Sequence, residues 1–149
     1  MATRRPLVLL SLLLLGGCFQ QSGTSTSQLL PPEYQKTYQL ARTCRRSVAH
    51  NSNYMVVYAN ALAESDYLGG NYPLAQGSTI VTAETDQPDC TGLTGYTLMF
   101  KEAEGYNSAA GDWRWQKLDA QRDVLQDGRV QDCITCHASC GPYDYTCAH

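Results

Sequence analysis

Seven cysteines in 149 residues restrict this chain more than any other feature. Four lie between Cys133 and Cys147; the others are Cys18, Cys44 and Cys90. The length leaves room for one domain. Thiols at this density point to an oxidising compartment or to sulfur chemistry at a cofactor. With 43% hydrophobic and 17% charged residues the chain is globular in composition, neither disordered nor polytopic. A formal net charge of -3 excludes the basic footprint of a nucleic-acid binder. Ten tyrosines against two phenylalanines suggest strands with one wet face.

The N-terminus has the layout of an export signal. Arg4 and Arg5 precede an apolar run, Leu7 to Leu15, that is too short to span a bilayer, which needs about 20 residues. Leu15-Gly16-Gly17-Cys18 resembles a bacterial lipobox, so residues 1–17 read as a lipoprotein signal peptide and Cys18 as the acylated residue. The mature chain would carry 9 basic and 14 acidic residues, a net charge of −5. Residues 18–31, rich in Ser, Thr, Gly and Gln, read as a flexible tether, and 32–149 as the folded domain. The expected location is the bacterial cell envelope, periplasm-facing, with the membrane as a partner through the lipid anchor.

The chemistry concentrates near the C-terminus, in Cys133-Ile134-Thr135-Cys136-His137. This Cys-x-x-Cys-His spacing is the attachment pattern of c-type haem. Thiols three positions apart share one face of a helical turn and can add to the two vinyl groups of one porphyrin. The adjoining histidine then supplies an axial nitrogen to the iron. Expected cofactor-binding residues are therefore Cys133, Cys136 and His137, with His137 the metal ligand. A thioredoxin-like pair would open a helix within a βαβ unit, and none precedes the motif. A zinc ribbon would want a second Cys-x-x-Cys, which Cys140 and Cys147 do not form. Twelve residues follow His137 and none is methionine. A sixth ligand would have to come from Met55, Met99, His50 or His149. An open or apolar distal side, suited to a small ligand, is the preferred reading.

Periodicity predicts an α+β domain: a mostly antiparallel β-sheet with an N-terminal helix and a short C-terminal haem-binding helix. A long helix is expected over Glu33 to Val48, with Tyr34, Tyr38 and Ala41 on one face. Strands are expected at Tyr54 to Tyr58, Ser78 to Glu84, Tyr96 to Lys101 and Asp112 to Leu118. A short helix is expected at Asn60 to Tyr67 with Asn60 as N-cap and Gly69-Gly70-Asn71 as its end. Asp127-Gly128 reads as a turn, and Val130 to His137 as the last helix.

Further segments resemble the cytochrome P-460 family, including its beta-type cytochromes c-prime. They are Ser47-Val48-Ala49-His50, Val56 to Ala61, Tyr72 to Val81, Tyr96 to Lys101, Gly105-Tyr106, Gly111 to Trp115, and Asp144-Tyr145 after the haem motif. The resemblance, over residues 47–149, implies one haem c in a mostly antiparallel domain, often a homodimer, with His137 proximal. It implies oxidation of hydroxylamine or binding of a small diatomic or nitrogen-oxide ligand, with a redox partner protein. The enzymes of the family carry a lysine cross-linked to the porphyrin. Here that position matches Thr82, beside Ala83, and no lysine lies between Lys36 and Lys101. Lys101 is a lysine that many relatives share, not the cross-linking one. In place of the distal phenylalanines of beta-type relatives, Leu98, Met99 or a tyrosine could serve.

Four cysteines remain as disulfide candidates: Cys44, Cys90, Cys140 and Cys147. They allow three pairings. Cys140–Cys147 with Cys44–Cys90 is placed first, and cross-pairing to the tail is the alternative. The function expected is a lipid-anchored monohaem c-type cytochrome for electron transfer or small-ligand binding. Two alternatives stand beside it. One is a haem enzyme that oxidises hydroxylamine or reduces peroxide, with Glu84 or Glu102 as general base and its catalytic residues otherwise unassigned. The other is a haem-free disulfide-rich lipoprotein.

Overall fold

Four central runs rich in β-branched and aromatic residues, flanked by two more polar ones, pair in chain order to form one antiparallel sheet. The computed structural model describes residues 27–50 and 53–147. The strands are β1 (Gln39–Arg46), β2 (Tyr54–Ala59), β3 (Thr79–Thr85), β4 (Leu93–Lys101), β5 (Trp113–Asp119) and β6 (Val124–Gly128). Their order across the sheet is the sequence order, so every connection joins neighbours. Three short helices accompany them: α1 (Tyr34–Thr37), α2 (Glu64–Gly69) and α3 (Gln131–His137). The signal peptide and Cys18, and the candidate ligand His149, lie outside the described residues.

Strand alternation sends side chains to two faces, and both faces are covered. On the back, Val81, Ala83, Tyr96, Leu98 and Leu118 pack with Leu30 and Tyr34. Residues 27–30, at the end of the expected tether, belong to this layer. Leu30 is buried, the Leu29 N–H donates to Gln116 Oε1 at 2.8 Å, and Gln116 Nε2 donates to the Ser27 carbonyl at 3.0 Å. The front face holds Met55, Val57, Ala59, Ile80, Met99, Trp113 and Trp115, with Tyr67 of α2 and Val130 before α3 packed on it.

The expected helix over Glu33 to Val48 is corrected. Only Tyr34–Thr37 is helical, and Gln39–Arg46 pairs with β2. Its apolar positions are too few to bury a helical stripe, whereas main-chain pairing to β2 satisfies the backbone of an edge strand. Two register shifts bend β1 between Leu40 and Arg45. The segment expected as a turn, Asp127-Gly128, instead ends a sixth strand, and the reversal falls at residues 120–123. The helix expected from Asn60 begins at Glu64 after a turn. Asn60 Oδ1 still accepts the Ala63 N–H at 3.1 Å, as a cap would. Gly70, left-handed, closes this helix.

The last helix passes into a 3-10 segment, Ala138–Tyr143, and the chain then turns back under the sheet. Asp144 and Tyr145 both sit in the left-handed region, at φ 52° and 63°. Such residues cost on the order of 1–3 kcal/mol each and persist only where the surroundings over-determine them. Here they do. Lys101 Nζ donates to both carboxylate oxygens of Asp144 at 2.6 and 2.8 Å, and both side chains are buried. Asp144 Oδ2 also accepts the Leu74 N–H at 2.9 Å. The Trp113 indole donates to the Asp144 carbonyl at 2.7 Å, and the Tyr145 hydroxyl to that of Ala109 at 2.7 Å. Gly111 completes the fit: a Cβ there would meet Tyr145 Cδ2 at 2.9 Å.

The disulfides are Cys44–Cys90 and Cys140–Cys147, the pairing placed first by the sequence. One ties β1 to the β3–β4 loop and the other closes the tail.

Two outcomes follow. Loop-closure entropy predicts that Cys44→Ser with Cys90→Ser costs about 4 kcal/mol and Cys140→Ser with Cys147→Ser about 2.4 kcal/mol, measured by urea unfolding. Asp144→Asn leaves Lys101 buried without its counter-charge, and should cost about 3–5 kcal/mol in the same assay.

Candidate functional site

The front face of the sheet does not close completely against its covering helices. It leaves a cavity of about 1000 Å³. The floor is apolar, from Met55, Val57, Ile80, Met99 and Trp115. One wall is α3 and the tail, and the opposite wall is the segment from Arg45 to His50. Strand alternation explains the floor: Ile80 and Thr82, Thr97 and Met99, and Trp115 and Lys117 all project to this side.

Cys133, Cys136 and His137 all line the cavity. The two cysteines, unlike the other four described, are free thiols. Cys133 is half-buried, and burial pushes its thiol pKa up. Among the described residues no three of His, Cys, Asp or Glu converge as a metal-binding group.

His137 is held from beneath. Its Nδ1 lies 2.6 Å from the Tyr145 carbonyl oxygen, which can only accept, so Nδ1 carries the proton. The Nε2 lone pair is then free for a metal, the arrangement that outer-shell partners impose on ligating histidines. Burial lowers the His137 pKa, with the Tyr145 bond opposing and His50 assisting, which favours the neutral, ligating ring. The Trp115 ring packs against it at 4.6 Å between centroids. Trp115 lines the cavity, and its buried indole N–H has no hydrogen-bond partner among the described residues.

The opposite wall brings together two residues that the sequence treated separately. His50, a candidate sixth ligand, and Glu84, a candidate base, form a pair with Nδ1 to Oε1 at 2.9 Å. Glu84 also accepts from Thr97 Oγ1 at 3.1 Å. Burial pushes the Glu84 carboxyl up, but hydrogen bonds and charge from His50, with Thr97 and Lys117, outweigh it and hold the group below its usual range. Glu102 is elsewhere, bonded to Arg114. Met55 and Met99 are on the floor, within the core cluster. Leu98 projects to the back face and cannot cap the cavity. Thr82 does face it, whereas Ala83 points away. Lys101 is bound by Asp144, and the lysine on the cavity wall is Lys117.

The residues present fit a haem: two free thiols beside an imidazole with one anchored nitrogen, over an apolar floor. Sequence reasoning singled out the two thiols and His137, which the fold brings to one cavity. It did not find the Tyr145 carbonyl, the Trp115 packing or the Lys101–Asp144 pair; the Asp144-Tyr145 segment was the available signal.

No curated protein matches the chain significantly. The family model described as Cytochrome P460 matches residues 31–147. By that match over most of its length, with a cavity whose thiols and imidazole suit haem, this chain belongs to the Cytochrome P460 family of haem proteins.

Proposed function

We propose that the protein is an exported, lipid-anchored monohaem cytochrome that carries haem c covalently. Cys133 and Cys136 hold the porphyrin and His137 ligates the iron. Its role is electron transfer with a redox partner protein, or binding of a small nitrogen-oxide-like ligand. The observation that carries this reading is the Tyr145 carbonyl on His137 Nδ1, which leaves Nε2 beside two unpaired thiols in one cavity. The haem would supply the redox-active iron. The chain's own work is to orient one imidazole, exclude water with Met55, Val57 and Met99, and offer Arg45 and Lys117 in the cavity lining as cationic partners for acidic groups.

Neither Thr82, which has no amine, nor Lys101, held by Asp144, supplies the lysine of the hydroxylamine-oxidising relatives. This supports the cytochrome reading over the enzyme. Cys18 supports a lipid anchor facing the periplasm, and the family resemblance supports a homodimer.

The test is expression with a bacterial haem-maturation system. Haem should survive denaturing electrophoresis, and the ferrous spectrum should show a c-type α-band. Cys133→Ser with Cys136→Ser should lose the covalent haem; a wild-type protein without haem stain sinks the proposal. For the anchor, Cys18→Ala should move the protein from the membrane to the soluble fraction.

A further inference from the structure

The cavity contains a second imidazole. The His50 and His137 ring centroids are 6.4 Å apart and their planes are inclined at 82°. Each ring is anchored through Nδ1, His137 by the Tyr145 carbonyl and His50 by the Glu84 carboxylate. The backbone at His50 is also held. Its N–H donates to Ser47 Oγ at 3.3 Å, and its carbonyl accepts the Asn53 N–H at 2.9 Å. His50 Nε2 makes no hydrogen bond among the described residues. Two imidazoles with free Nε2 atoms therefore border one cavity.

The separation is informative. Imidazole nitrogen–metal bonds are about 2.0–2.1 Å, as at zinc, and each nitrogen stands about 1.1 Å from its ring centre, so two rings on opposite sides of one metal have centroids roughly 6.2–6.4 Å apart. The observed spacing matches that figure. A carboxylate on Nδ1 is a common outer-shell partner of ligating histidines, where it fixes the tautomer and raises basicity. Met55 and Met99 are packed into the core floor, among apolar residues.

We propose that His50 is the second axial ligand of the haem iron and Glu84 its positioning residue. The inference rests on the haem reading above and narrows it. The iron is six-coordinate through two imidazoles, so electron transfer is its main work and an exogenous ligand must displace His50. This replaces the open or apolar distal side expected from the sequence.

The experiment uses the full chain matured with haem. Electron paramagnetic resonance of the ferric protein and absorption in both oxidation states should show a low-spin centre. His50→Ala should become high-spin while keeping covalent haem on a denaturing gel. Added imidazole should restore low spin, and carbon monoxide should bind the ferrous variant roughly tenfold faster or more, because the binding-competent fraction rises. Glu84→Gln should stay low-spin with a raised reduction potential, since a neutral amide supports the ring less; an unchanged potential overturns the role of Glu84. A high-spin wild type overturns the proposal, as does a low-spin His50→Ala without added ligand. Pulsed resonance on the His149→Ala protein grown with ¹⁵N-histidine, which leaves His50 and His137 as its two histidines, supplies a second readout: two coordinated imidazoles support His50, and one overturns it. Absence of haem from the wild-type gel instead overturns the underlying haem reading.

Discussion

The buried ion pair between Lys101 and Asp144 joins the sheet to the tail that supports His137. Taking two charges out of water is expensive, and such a pair is weak grounds for net stability. Its value here is geometric. Asp144 and the following Tyr145 both adopt left-handed backbone. The pair, the Trp113 N–H and the Leu74 N–H together leave Asp144 one place to sit. The next carbonyl, that of Tyr145, is thereby set against His137 Nδ1. Strain in two residues is exchanged for a defined direction of one imidazole, a trade that appears where a site needs preorganisation.

The opposite wall is built on the same logic from different elements. Glu84 projects from the middle of the sheet, and Thr97 on the neighbouring strand fixes its carboxylate. His50 comes from the segment after β1, an edge strand tied to the β3–β4 loop by Cys44–Cys90. Both imidazoles are thus anchored to the sheet through a second residue, with a disulfide bracing each wall. A small core gains from such cross-links, which limit the unfolded chain more than they add native contacts.

Local chemistry was easier to read than packing. Cys133, Cys136 and His137 lie within five consecutive positions, so covalent spacing alone marks them as one candidate group. Four strands were legible from alternation and β-branched content, Trp113 and Trp115 above all. The helix expected over Glu33 to Val48 failed because the helical spacing of Tyr34, Tyr38 and Ala41 marks too few apolar positions to outweigh pairing with β2, which sends Tyr38 and Ala41 to opposite faces. β6 was missed because Val124 to Gly128 is short and mostly polar, and its partner β5 supplies the bonds that define it. Placing residues 18–31 in a tether overlooked Leu30, whose burial depends on a sheet face made by β3 to β5.

The seven cysteines by themselves determined the covalent possibilities: which thiols sit at haem spacing, and that an even number remains to pair. They could not determine which bridges form, because pairing depends on distances that only the folded sheet establishes. His50, Glu84 and Lys101 were visible as residues but mute as partners. Their meeting points, His50 with Glu84 across 34 positions and Lys101 with Asp144 across 43, arise from strand register and from a tail folded back under the sheet. A sequence carries local periodicity directly, whereas contacts between distant residues depend on how many small burial and pairing energies sum. That sum was made only in the tertiary structure.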